Sequence, residues 1–175
     1  MDNRLTALLV GAITIGLSAC ATMGGNKLAA VALLESRSGS SVTGKATVFQ
    51  GPDGPRMHVE LAGLSPGSEH GMHIHDKGDC SAPDAMSAGG HFNPDGAAHG
   101  RAGLGPHHVG DLGSVVADSQ GRVSTDLTLA ELTLTDGARG MIGHSLVVHR
   151  DRDDYVTQPA GNAGPRVACG VFTSP

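Results

Sequence analysis

The sequence predicts an all-β fold, a Greek-key β-sandwich or barrel of about eight antiparallel strands carrying two long functional loops. Three observations predict it. Apolar residues recur at a spacing of two rather than 3.6, Gly, Pro and Asp clusters punctuate the chain at short intervals, and two long stretches break that rhythm. The 175 residues suit one domain. With 27 Gly and 9 Pro the chain favours turns over helices, and with three Phe, one Tyr and no Trp its core must be built from Val, Leu, Ile, Ala and Met.

Taken in order, residues 28–35 (LAAVALLE) have helical propensity but are read as a strand because their neighbours are strands. Val42, Gly44, Ala46 and Val48 then alternate with Thr43, Lys45 and Thr47, and Met57, Val59 and Leu61 alternate with His58 and Glu60. Each such segment buries one face of a sheet. Turn signals stand at 51–55, 65–67, 118–121 and 136–137. The two interruptions are residues 76–109 and 150–165, both rich in Gly and Asp. Loops of that length in a compact domain carry function or are disordered. The first holds His91, His99, His107, His108 and Cys80, so metals and a disulfide can order it.

The first 19 residues open with Arg4, run through an apolar stretch from Leu5 to Leu17 and end in small residues, the pattern of a signal peptide and too short to span a bilayer. An N-terminal core helix is the alternative. Leu17-Ser18-Ala19-Cys20 resembles the lipobox of bacterial lipoproteins. That resemblance implies cleavage before Cys20, acylation of Cys20, a tether over residues 20–27 and a soluble domain over 28–175. It also implies location in the periplasm or cell envelope of a bacterium, with Ala21 pointing to the outer membrane. Contact with the membrane would then be through the lipid alone. Cys80 and Cys169 remain and allow one pairing, which an exported compartment would keep oxidised; two buried thiols are the alternative. A net charge of −5 with no basic stretch gives nucleic-acid binding no electrostatic support.

Of the 10 histidines, most crowd between His70 and His108. In a strand, i and i+2 side chains share a face, so His73 and His75 can reach one ion while Met72 and Ile74 face the other way. With His149 at the end of Leu146-Val147-Val148-His149 they make an all-nitrogen set suited to copper. His91, His99, His108 and Asp111 make a closed four-coordinate set suited to zinc.

The blocks His70-Gly-Met-His73-Ile-His75, Gly89-Gly-His91-Phe-Asn-Pro94, His108-Val-Gly-Asp111-Leu-Gly, Leu146-Val-Val-His149 and Gly161-Asn-Ala-Gly-Pro-Arg166-Val-Ala-Cys169-Gly resemble copper–zinc superoxide dismutase, in that family's order, from about residue 28 to the C-terminus. The resemblance implies copper held by His73, His75, His91 and His149, and zinc held by His91, His99, His108 and Asp111. His91 would bridge the two through both ring nitrogens, and Asp153 would accept hydrogen bonds from one ligand of each set, with Asp154 as its rival. Arg166 would dock the superoxide anion, and Cys80–Cys169 would be the intrachain disulfide that positions Arg166. The reaction implied is dismutation of superoxide to dioxygen and hydrogen peroxide, protecting the cell envelope.

Members of the family occur as monomers and dimers, which leaves a homodimer open. The loop over 150–165 looks short for the family and contains no lysine, leaving the route of electrostatic guidance open. His107 reads as a surface residue and His70 as a structural histidine at the loop base, while His58 matches no ligand position. Two other functions compete. A mononuclear His-x-His enzyme would use His73, His75 and His149 but leaves four ligands unexplained. A copper and zinc buffer or carrier in the envelope would need the ligands but not Arg166.

Overall fold

Period-two segments fold into eight strands: β1 (Lys27–Ser36), β2 (Thr43–Gly51), β3 (Gly54–Ala62), β4 (Glu69–His75), β5 (Asp111–Val116), β6 (Val123–Thr128), β7 (Ser145–His149) and β8 (Arg166–Val171). These come from a computed structural model, which describes residues 27–175 apart from Asp53 and Asp136. The expected signal segment and Cys20 lie outside the described residues. β1 begins at Lys27, which pairs with Gln50, one residue before the domain start expected at 28.

All pairings are antiparallel, in the order β5-β4-β7-β8-β1-β2-β3-β6. The neighbours β3–β6, β4–β7 and β8–β1 are not consecutive in the chain, so long connections cross between β1-β2-β3-β6 and β5-β4-β7-β8 in Greek-key fashion. The two halves join where Glu35 and Ser36 of β1 meet Cys169 and Ala168 of β8.

Alternation decides what each strand buries. In β1, Ala30, Ala32 and Leu34 face the core while Leu33 is 66% exposed, which fixes residues 28–35 as strand against their helical propensity. Val48, Met57, Val59, Met72, Ile74, Leu146, Val148 and Phe172 fill the space between the halves, with Phe172 the largest fully buried side chain.

β4 and β7 depart from one-sided burial: from His70 to His75, and throughout β7, every residue is buried. Met72, Ile74, Leu146 and Val148 point into the core. Their alternates, His73, His75, Val147 and His149, face outward and are covered by the two long loops. The first loop is pinned to β8 by the Cys80–Cys169 disulfide, beside which Ala85, Ala88 and Val147 form a small satellite core. Closing an 89-residue separation contributes at most about 4–5 kcal/mol through the unfolded chain.

Gly170 sits where β8 crosses β1, and a Cβ there would collide with the carbonyl oxygen of Leu33. Gly170→Ala is expected to lower stability by roughly 1–3 kcal/mol, read as a reduced urea midpoint at unchanged slope. An unaltered midpoint would contradict this close approach.

Candidate metal centre

Strand register puts the first three imidazoles together. β4 pairs with β7, with His73 opposite Val147 and His75 opposite Ser145, so His73, His75 and the terminal His149 converge on one outer face. The first loop then lies along β4. Phe92 N donates to Ile74 O, Ile74 N to Gly110 O and Gly110 N to Phe92 O, all at 2.8–2.9 Å, and His91 bridges to His75. A Cβ at position 110 would strike the Ile74 carbonyl, so the glycine between His108 and Asp111 is what lets the loop approach this closely.

Two groups result, His73/His75/His91/His149 and His91/His99/His108/Asp111, the ligand atoms of each lying within 4.8 Å of one another. In the second, Asp111 Oδ1 lies 2.8 Å from His91 Nδ1, 3.0 Å from His99 Nδ1 and 3.2 Å from His108 Nδ1, and the His91 and His108 Nδ1 atoms are 3.3 Å apart. A tetrahedron drawn around Zn²⁺ at its usual bond lengths has edges of about 3.3–3.4 Å, so this set is already close to that shape. Asp111 Oδ2 accepts the amides of His108 (2.8 Å) and Gly100 (3.1 Å), which turns Oδ1 toward the rings.

Hydrogen bonds select which ring nitrogen is free. His75 Nδ1–H donates to Gly89 O (3.0 Å) and His149 Nδ1–H to Gly164 O (3.0 Å). His73 Nε2–H and His99 Nε2–H donate to the two oxygens of Asp153 at 2.8 and 2.9 Å. Left buried with no hydrogen-bond partner are His73 Nδ1, His75 Nε2, His91 Nε2, His99 Nδ1 and His149 Nε2. Each unsatisfied buried nitrogen costs about 1–3 kcal/mol. Five of them in one cluster, with the opposite nitrogens tied back, fit ligation of metal ions. The all-nitrogen set suits copper, and the three-nitrogen, one-oxygen set suits zinc.

Protonation matches that use. Burial pulls His73 down to about 4 and His149 to about 3, and holds His75 well below the ordinary value of 6.5. Burial also lowers His108. Burial alone would raise Asp111 and Asp153, but ring hydrogen bonds and backbone amides outweigh it and hold both below the usual carboxylate range. At neutral pH His73, His75, His108 and His149 are therefore neutral and Asp111 and Asp153 charged, the states metals require.

Arg166 opens β8 opposite His149, half-buried, and its guanidinium donates to Ala85 O (2.7 Å) and Gly89 O (2.6 Å). Gly89 O therefore receives both Arg166 and the copper-type ligand His75. Asp154 turns away and caps the amides of Val156 and Thr157, so it is Asp153 whose carboxylate reaches both ligand sets. Arg150 is paired with Asp151 at 2.9 Å. His70, buried, donates from Nδ1 to His149 O, His107 pairs with Glu131, and His58 pairs across β3–β6 with Asp126.

Sequence reasoning missed several supports. Gln158 clamps His99 by accepting its amide (2.8 Å) and donating to its carbonyl (2.9 Å), and Ser114 Oγ accepts the amide of Asp153 (3.0 Å). His144 donates to His75 O, with its ring 4.0 Å from that of Phe92. A lone Gln or Ser in a loop, and a backbone carbonyl, leave no pattern to find.

These depressed histidines carry a sign for stability. Between about pH 6.5 and its folded value, each binds a proton only in the unfolded chain. The metal-free protein should thus be fully stable above about 6.5 and lose up to about 1.4 kcal/mol per pH unit for each of His73, His75 and His149 as the pH falls toward 4. Urea midpoints of metal-free protein from pH 7.5 to 5 check this, and a flat profile contradicts it.

Comparison with known proteins agrees with this architecture. The copper/zinc superoxide dismutase family matches over residues 42–172. A Cu-Zn superoxide dismutase of Deinococcus radiodurans is 40% identical, covering 98% of both chains. The extracellular Cu-Zn superoxide dismutase of Drosophila melanogaster is 41% identical over 76% of each. Among solved structures, a double mutant of a superoxide dismutase-like protein from Bacillus subtilis superposes with a TM-score of 0.75 at 35% identity, covering 82% of this chain and 96% of that one. With the fold and both ligand groups contained in the matched span, the chain belongs to the copper/zinc superoxide dismutase family.

Proposed function

We propose that the protein dismutes superoxide in a bacterial cell envelope, using copper held by His73, His75, His91 and His149 and zinc held by His91, His99, His108 and Asp111. Family membership supports superoxide as substrate and copper and zinc as cofactors. The observation that carries the shared arrangement is His91: its Nδ1 lies in the zinc-type set while its Nε2 is buried without a partner, its ring centroid 4.0 Å from that of His73 and 5.0 Å from that of His75. Bound there, copper would supply one-electron redox chemistry toward superoxide, and zinc, which has no redox chemistry, would hold its ligands in place.

The chain's own groups do the rest. His91 Nε2 is the atom at which a proton is held and handed to the reduced product, while Nδ1 keeps the ring anchored. Asp153, bonded to His73 and His99, fixes their tautomers and ring planes. Arg166 keeps its charge when half-buried and holds the anion, against the repulsion of a chain of net charge −5. Arg166 needs no flexible search for its position, because two carbonyls already fix its fork.

Export and anchoring complete the proposal. Residues 1–19 would be removed and Cys20 acylated, supported by the apolar segment and the Leu17-Ser18-Ala19-Cys20 pattern. In cells, Cys20→Ala is expected to abolish fatty-acid labelling and move the protein from the membrane to the soluble fraction; labelling that persists in the variant would refute the anchor.

Superoxide decay followed directly, per bound copper, tests the reaction. A rate near the diffusional ceiling is expected, falling more than a hundredfold for His149→Ala and roughly tenfold for Arg166→Ala. Decay no faster than with free copper, in protein that retains both metals, would leave a metal carrier as the better account.

A further inference from the structure

Arg166 depends on two pieces of backbone: the strand that carries it and the loop segment whose Ala85 and Gly89 carbonyls hold its guanidinium. Both are gripped by the turn between β1 and β2. On the strand side, Val167 O, one residue after Arg166, accepts Arg37 N (2.9 Å) and Ser40 Oγ (2.6 Å). On the loop side, Arg37 Nε donates to Cys80 O (2.8 Å) and Ser38 N to Pro83 O (2.8 Å). The remaining donors of Arg37 go to Ser36 O and Glu35, so its whole fork is engaged, and its side chain is only 15% exposed. Ser38 and Gly39 are held at φ 53° and 70°, a backbone that only a firmly held turn imposes on a serine.

We infer that the turn over 37–40 is a positioning device for Arg166, with Arg37 its principal residue. Resting on the reading of Arg166 as the anion-docking group, the inference names what sets the distance between that group and the copper-type ligands. The disulfide ties the loop to β8 at Cys169; Arg37 ties the same loop, at the carbonyl of Cys80, to β1. Two pins on one residue make either partly redundant. An arginine suits the task because its fork stays charged and donating at any physiological pH. The turn touches neither ligand set, so it can move Arg166 without unseating a metal.

The test uses copper- and zinc-loaded protein and azide, an anion whose affinity for the Cu(II) form is read from its charge-transfer absorbance. Arg37→Met keeps the stem's packing and removes every side-chain donor, leaving the backbone bond to Val167 O. It should weaken azide binding about fivefold at unchanged metal content, the scale of one hydrogen bond. In a Cys80→Ser, Cys169→Ser background, the same substitution should weaken it more than tenfold, because the second pin is gone. Ser40→Ala, which removes one of the two hydrogen bonds to Val167 O and the acceptor of the Val42 amide, should act in the same direction by a smaller factor. Arg166→Ala run in parallel separates the two ideas. If Arg166→Ala weakens azide binding while Arg37→Met lowers only the melting temperature in both backgrounds, the turn is merely structural and the inference is overturned. If Arg166→Ala itself leaves azide affinity unchanged, the docking reading of Arg166 is wrong and the inference falls with it.

Discussion

Seven side chains that could hold metal ions, six imidazoles and one carboxylate, are held beside one another in a site shut off from water. In the metal-free chain this is an unfavourable arrangement. Buried imidazole nitrogens without partners cost free energy, and any histidine that gains a proton there must be desolvated as a cation. The protein meets the constraint by tying down the far side of four of the rings, those of His73, His75, His99 and His149. Gly89, Gly164 and Asp153 are therefore as much part of the centre as the ligands, since each decides which nitrogen faces inward.

Sheet geometry explains how so polar a cluster coexists with a stable core. Strand alternation separates the two requirements by a single residue: Met72 and Ile74 pack inward, while His73 and His75 lie outward. The core on one face of β4 is continuous with the rest of the barrel, so His73 and His75 are set by strands that are packed on their other face. The loops that cover the other face are short of apolar residues and are held by specific ties instead: the disulfide, the Ile74–Phe92–Gly110 backbone bonds and the Gln158 clamp on His99. Precision in the site comes from the strands, and exclusion of water from the loops.

The sequence made the strands and the ligand sets legible for different reasons. Period-two alternation at 42–48 and 57–61 read directly as sheet, because Val, Met and Leu at every second position have no other way to be buried together. Residues 28–35 were ambiguous on propensity and became strand only through their pairing with β2, a tertiary effect no local rule contains. Strand order was not readable from the residues either, since β3–β6 and β4–β7 neighbours depend on where long connections land. In the site, histidine and aspartate announced themselves by type and spacing. The carbonyls of Ala85 and Gly89, the hydroxyl of Ser114 and the turn at Arg37 did not, because backbone groups and single polar residues act only through the fold that places them.

His91 contributes an atom to each ligand set, and Asp153 bonds one ring from each. The other three copper-type residues all sit on strands, whereas the zinc-type residues other than Asp111 and the shared His91, namely His99 and His108, sit with His91 on the first loop. Under the proposed assignment, whatever ordering of that loop the disulfide and backbone bonds leave undone would fall on the zinc equilibrium, and zinc would immobilise the imidazole of His91 for the copper-type set. Linkage makes the relation mutual: by whatever factor one ion tightens the other, it is itself tightened equally. With both ions held as proposed, the two binding equilibria cannot be written separately, and the centre is described by a single two-ion binding polynomial.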